Sequence, residues 1–181
     1  ALTGIRPIPR IIELDRSQPE GRLTAAQYLQ RVVPASRQAT ARQRLANHRG
    51  LLQSVAERYG VQPRFIVALW GIETDFGRNT GGYGVIESLA TLAYDGRRAN
   101  FFRSELLAAL RILDERHISA AAMQGSWAGA MGQSQFMPSS FLAYAVDEND
   151  DGRRDIWQTL PDVFASIANY LAKSGWLDDQ T

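Results

Sequence analysis

The sequence predicts a mainly α-helical chain, and three observations carry that expectation. Apolar side chains recur at helical spacings, as in Leu45, Leu52, Val55 and Tyr59, and again in Phe102, Leu106, Leu110 and Leu113. Start and stop residues bracket these stripes. Almost nothing alternates with period two over a strand length.

Taken in order, residues 1–23 read as an irregular strap, because Pro7, Pro9 and Pro19 interrupt helical hydrogen bonding. Thr24 caps a short helix that ends near Pro34. Ser36 caps a longer one that runs to Tyr59 and stops at Gly60. Pro63 suits the first turn of a helix over 63–74. Gly77, Gly81, Gly82 and Gly84 then form a glycine-rich stretch. Helices follow over 87–94 and 99–115, with short helical pieces at 120–123 and 138–146. The last helix covers 162–174 and is stopped by Gly175. No repeat, low-complexity tract or linker divides the 181 residues, so one catalytic-size region is expected.

Composition removes several function classes. The chain has 20 Lys+Arg against 19 Asp+Glu, and this balance lacks the basic footprint of a nucleic-acid binder. Cysteine is absent, which excludes a disulfide framework, a thiolate zinc site and a cysteine nucleophile. No apolar run reaches the ~20 residues of a membrane span. The two histidines, His48 and His117, stand in no serine-triad or metal spacing.

One carboxylate falls on an apolar helical face. Ile66, Trp70 and Glu73 are spaced i, i+4, i+7. Desolvation there favours the neutral acid, the form that general-acid cleavage of a glycosidic bond requires. Spacing alone favours the other reading, a structural glutamate at the helix end turned to solvent or capping a neighbouring loop. Asp75, two residues on, diverges from Glu73 on a helix, so no acid–nucleophile carboxylate pair is offered.

Several motifs occur in order: Glu73-Thr74-Asp75-Phe76-Gly77, the stretch 125–133 ending Gly129-Ala130-Met131-Gly132-Gln133, then Gln135-Phe136-Met137-Pro138-Ser139, and Asn169-Tyr170. Together they resemble the soluble and membrane-bound lytic transglycosylase B family, peptidoglycan-cleaving enzymes with a lysozyme-like α fold. The approach 68–73 and the stretch 95–102 are similar too, so the resemblance covers nearly the whole chain. It implies that Glu73 is a single acid/base. Glu73 protonates the oxygen linking N-acetylmuramic acid to N-acetylglucosamine, then takes the proton from the muramic acid's own C6 hydroxyl as that hydroxyl attacks C1. The product is a 1,6-anhydro end, and no catalytic cofactor is needed. An intramolecular nucleophile of high effective concentration makes a second carboxylate unnecessary.

The resemblance also implies a groove. Ser126 and Gln135 would hydrogen-bond the sugar, Phe136 and Tyr170 would stack on it, and Arg97 and Arg98 would meet its carboxylates. Tyr28 and Tyr83 are further carry-overs, and Gly129 and Gly132 would let backbone pack beside Glu73. Structural readings stand beside each: a cap for Ser126, a surface polar for Gln135, core for the aromatics, a solvated pair for the arginines.

The insertion 147–158 matches the start of an EF-hand loop. Asp147, Asn149 and Asp151 supply oxygens at positions 1, 3 and 5, Gly152 makes the turn at 6, and Arg153 offers its carbonyl at 7. Position 12 is Gln158 instead of a glutamate. The resemblance suggests Asp162 as the late carboxylate, giving a structural Ca²⁺ site. An acidic turn capping the last helix through Asp162 is the other reading.

The expected chain is therefore a lysozyme-like α domain with an EF-hand-like loop, acting on peptidoglycan in the bacterial periplasm. The resemblance further implies a fragment of a longer protein, whose full form is secreted or lipid-anchored. A water-using muramidase of the goose-lysozyme kind and a non-catalytic peptidoglycan-binding module are the rival readings.

Overall fold

The structure, a computed structural model, describes residues 2, 4–17 and 24–177. Within them lie the helices α1 (Pro9–Arg16), α2 (Ala25–Val32), α3 (Ala35–Asn47), α4 (Arg49–Tyr59) and α5 (Pro63–Thr74). Strand β1 (Tyr83–Gly84) precedes α6 (Val85–Asp95) and α7 (Ala99–Asp114). Strand β2 (Gln124–Gly125), α8 (Pro138–Tyr144) and α9 (Leu160–Lys173) complete the order. The strands pair antiparallel, Tyr83 opposite Gly125 and Gly84 opposite Gln124.

Two apolar clusters hold the helices. Leu89 of α6, Phe102 and Ile112 of α7 and Phe141 of α8 are buried with Met131, and Ile11 of α1 joins them. Leu52 and Val55 of α4, Ile66 and Trp70 of α5, and Phe164 and Ile167 of α9 form the second. Each such side chain contributes roughly 1.5–3 kcal/mol by leaving water. Helix α9 packs against α4, α5 and α8, and its half-buried Tyr170 reaches the first cluster, so it ties the two together.

Several expectations hold locally. Thr24 caps α2 in a full capping box with Gln27. Pro63 opens α5, and Gly60 ends α4 in the left-handed region at φ 68°.

Others need correction. The N-terminal stretch is not all irregular: Pro9 sits in the first turn of α1, where its missing N–H costs nothing. Ile8 N–H donates to Thr91 Oγ1 at 3.1 Å and fixes the start of α1 on α6. Residues 18–23 of the expected strap lie outside the described residues. The single helix over 36–59 is two helices, broken at His48 (φ −110°, ψ 21°), and Pro34 takes the N-cap position in place of Ser36. The His48 ring lodges edge-on between Trp70 and Phe164, at 5.9 and 5.7 Å, so tertiary packing overrides the helical pattern. Residues 120–123 form a turn, Ala122 and Met123 N–H both reaching Ser119 O, because the chain is being led into β2. Finally, α9 starts at Leu160, so Asp162 lies inside its first turn and is not its cap.

Candidate active site

Helix α5 is apolar on nearly all sides and buries Ile66, Val67 and Trp70. Glu73 stands in its last turn. The helix then stops at Asp75, whose left-handed backbone (φ 52°) is closed by a hydrogen bond from its N–H to Gly71 O at 3.1 Å. The Glu73 side chain opens on solvent, yet the protein packed around its inner side strips water from the carboxyl and raises its pKa. The second carboxylate is turned elsewhere: Asp75 pairs with Arg78 at 2.8 Å and Arg37 at 3.5 Å. Glu73 is thus held towards its neutral form, while Asp75 is committed to its arginines.

The Glu73–Gly77 motif is explained by Gln133, a hub that sequence reasoning missed. Thr74 Oγ1 donates to Gln133 O at 2.9 Å and accepts the Gly77 N–H at 3.1 Å. Trp70 Nε1 donates to Gln133 Oε1 at 2.8 Å. Gly77 is glycine for room, since a Cβ there would stand 2.3 Å from Gln133 Oε1. The Phe76 ring meets Trp70 edge-on at 5.4 Å and lies where a Cβ on Gly71 would be, 2.8 Å away. Gln133 and Thr74 both belong to the motifs, but nothing in their spacing says that they bond each other.

A wall of turns faces the end of α5. Gln135, at φ 49°, donates from Nε2 to Thr80 O (3.2 Å) and Gly132 O (3.0 Å), binding the glycine-rich stretch to the 125–136 turns. Ser126 Oγ accepts Ala130 N–H at 3.0 Å, which holds the turn and leaves the hydroxyl proton for another partner. Tyr83 is half-buried in β1 beside them. A Cβ on Gly81 would fall 2.0 Å from Gly125 O, so the close approach of the two segments requires glycine. Tyr83, Ser126 and Gln135 are therefore drawn together, and Thr74, next to Glu73 on α5, is bonded to Gln133 of the same turns.

Other predicted groove residues are placed differently. Phe136 is buried and meets Tyr170 at 5.7 Å, so it supports the half-buried Tyr170 and offers no free face of its own. Tyr170 also meets Tyr144 at 5.2 Å. Arg97 and Arg98 grip Asp15, buried on α1, with ion pairs at 3.3 and 3.1 Å, and Arg97 also bonds the Asp15 carbonyl. A buried carboxylate demands such partners, so both arginines pin α1 to the α6–α7 turn. Gly129 admits the Leu89 side chain, 2.5 Å from a Cβ, and Gly132 admits the Ile156 backbone carbonyl, 2.6 Å from one. Tyr28 is exposed on α2. His48 and His117 are both held below the usual histidine pKa, first by burial. His117 belongs to a structural cluster with Arg154 and Glu115.

In the acidic loop Gly152 makes a turn at φ 87°. Asp147 accepts the N–H of Asp151 (3.1 Å) and Gly152 (2.7 Å), and Asp151 accepts that of Arg153 (2.9 Å). Fully buried Asp162 accepts the N–H of Glu148 at 2.9 Å and of Asp155 at 2.7 Å. Burial raises its pKa, backbone hydrogen bonds lower it, and the nearby Asp147 carboxylate raises it again. Among the described residues, no three His, Asp or Glu side chains are gathered closely enough to form a ready metal cage. The expected ligands are present as a folded oxygen-rich loop, their carboxylates engaged by backbone amides. Two carboxylates that disfavour each other's charge, with an all-oxygen donor set, fit a hard divalent cation in chemistry.

Residues 1–181 match the family model of the transglycosylase SLT domain. SltB3 from Pseudomonas aeruginosa, solved in complex with NAG-NAM-pentapeptide, is 47% identical and superposes with a TM-score of 0.95 over 99% of this chain and 48% of its own. Slt35 from Escherichia coli, solved in complex with calcium, is 31% identical with a TM-score of 0.88, over 99% of this chain and 57% of its own. The membrane-bound lytic murein transglycosylase B of Escherichia coli K12 is 42% identical over 120 residues, 66% of this chain and 33% of its own. The chain thus spans about a third to a little over half the length of these relatives. A match along the whole chain means that the chain belongs to the transglycosylase SLT domain family.

Proposed function

We propose that this chain is the catalytic region of a peptidoglycan lytic transglycosylase, cleaving the MurNAc–GlcNAc β-1,4 bond with Glu73 as its only acid/base. The observation that carries this reading is the state of Glu73: open to solvent, desolvated towards its neutral form, with the nearest carboxylate in sequence, Asp75, held by Arg37 and Arg78. A retaining or inverting hydrolase works with a carboxylate pair. A lone acid suits a substrate that supplies its own nucleophile. SltB3 has been solved both with NAG-NAM-pentapeptide and with NAG-anhNAM-pentapeptide, a substrate–product relationship of the same kind.

In the mechanism, neutral Glu73 gives its proton to the glycosidic oxygen as the C1–O bond breaks. Positive charge develops at C1 and the ring oxygen. The ionised Glu73 then takes the proton of the C6 hydroxyl as its oxygen bonds C1, which restores the acid and closes the anhydro ring. In this reading the Ser126 hydroxyl proton and the Gln135 amide oxygen would hold the sugar at this point, and Tyr83 and Tyr170 would offer aromatic surface to it.

Calcium belongs to this reading as a structural ion. Asp147, Asn149, Asp151, the Arg153 carbonyl and Asp162 would hold it, and its charge would relieve the Asp147–Asp162 repulsion. The substrate places the working protein in the bacterial cell envelope. Product analysis tests the reading: anhydro-muropeptides from this chain support it, reducing ends make it a muramidase, and glycan binding without turnover makes it a binding module.

A further inference from the structure

Side-chain and backbone hydrogen bonds form one connected path from the acidic loop to the last turn of α5. At one end, Asp162 fixes Asp155 through the Asp155 N–H (2.7 Å). Asp155 Oδ1 in turn holds the N–H groups of Trp157 (2.9 Å) and Gln158 (3.0 Å). The Trp157 carbonyl accepts Gln133 Nε2–H at 2.9 Å, and the Ile156 carbonyl accepts the Gln133 backbone N–H at 2.8 Å. At the other end, Gln133 takes Trp70 Nε1–H through Oε1 and Thr74 Oγ1–H through its carbonyl. Trp70 and Thr74 lie three residues before and one residue after Glu73 on the same helix. Gln133 therefore uses both polar side-chain atoms and both backbone groups to join the exit of the acidic loop to the last turn of α5.

We propose that Gln133 is a positioning residue for the reaction: it fixes the last turn of α5, on which Glu73 stands, and makes the position of that turn depend on the order of the acidic loop. The inference rests on the reading of Glu73 as the acid. Its reasoning is geometric. The last turn of a helix frays unless it is tied down. Here the tie consists of two buried hydrogen bonds that Gln133 accepts, one at its side-chain Oε1 and one at its backbone carbonyl, and Gly77 is glycine so that the Gln133 side chain can pass. Released, the end of α5 would swing towards water, and the acid would be better hydrated and less well aimed.

The test uses Gln133→Met, which keeps the volume and removes both side-chain bonds, and Trp70→Phe, which removes the Trp70 bond from the other side. Each is checked for folding by its melting curve and assayed on purified peptidoglycan. The expected result is a kcat lower by about 10- to 100-fold with KM within about twofold, the cost of a misplaced reacting group. The double variant should lose little more than the worse single one, because both remove the same bond. Carboxyl NMR of Glu73 supplies a readout independent of activity: its pKa falls towards the ordinary glutamate value in Gln133→Met. A folded variant with wild-type kcat and an unmoved Glu73 titration overturns the proposal, as does a rise in KM alone. A wild-type chain that releases no product refutes the transglycosylase reading, while the Glu73 titration still decides the role of Gln133.

Discussion

Thr74 places its hydroxyl 2.9 Å from the backbone carbonyl of Gln133, so the residue after the acid is bonded to a segment 59 positions away in the chain. This bond is buried and also serves the Gly77 N–H. Thr74→Val keeps the shape and removes the hydroxyl. It leaves one carbonyl and one N–H unpaired and should cost about 1–3 kcal/mol of stability. Chemical denaturation measures it, and a change below a few tenths of a kcal/mol would contradict the assignment.

Glu73→Gln removes the titrating acid without altering any hydrogen bond described for the fold. Turnover should fall roughly 10²–10⁴-fold, the usual contribution of a general acid/base, with binding of glycan retained. Calorimetry with an undigested glycan fragment separates the two effects.

The pH dependence follows from the raised Glu73 pKa. The wild-type rate should decline as pH rises through that raised value, because the protonated acid is consumed. Stability has the same sign. Below the ordinary 4.5 the carboxyl is neutral in both folded and unfolded chains; above the raised value the folded chain bears a charge it desolvates. Melting temperatures of wild type and Glu73→Gln should therefore coincide in acid and separate near neutrality, the glutamine variant being higher. A wild type that melts higher near neutrality would contradict this.

The Asp15 cluster predicts a structural phenotype. Asp15→Ala strands Arg97 and Arg98 and should loosen α1, at a cost of about 1–3 kcal/mol given two half-exposed partners. Arg97→Ala and Arg98→Ala should lower the melting temperature and leave KM for peptidoglycan unchanged. A KM effect without a stability effect would return both arginines to the groove.

Calcium at millimolar concentration should raise the melting temperature of the wild type by ligand binding to the folded state alone. Asp147→Ala and Asp162→Asn should each remove that rise. An unchanged melting temperature in calcium would exclude the loop as a metal site.

How much of this was legible in the sequence depends on the range of the interactions. Helix α5, its proline start and the position of Glu73 follow from local periodicity, and the α2 capping box follows from Thr24 and Gln27. The break at His48 was not legible, because its cause is two aromatic rings from α5 and α9. Pro9 was misread as a helix breaker, though it is tolerated in a first turn. Arg97 and Arg98 were read as a substrate clamp because their partner, Asp15, lies 82 and 83 residues away. Gln133 stood inside a recognised motif, but its four bonds to two separate segments, α5 and residues 156–157, exist only in the folded chain.

The central claim is that the substrate's own hydroxyl, and not water, closes the reaction at Glu73. Digestion of purified peptidoglycan in heavy-oxygen water, read by mass spectrometry beside a Glu73→Gln control, tests it most directly. The account predicts muropeptides one water lighter than hydrolysed ones, with no heavy oxygen at C1 and none formed by the variant. Reducing ends carrying heavy oxygen would contradict it.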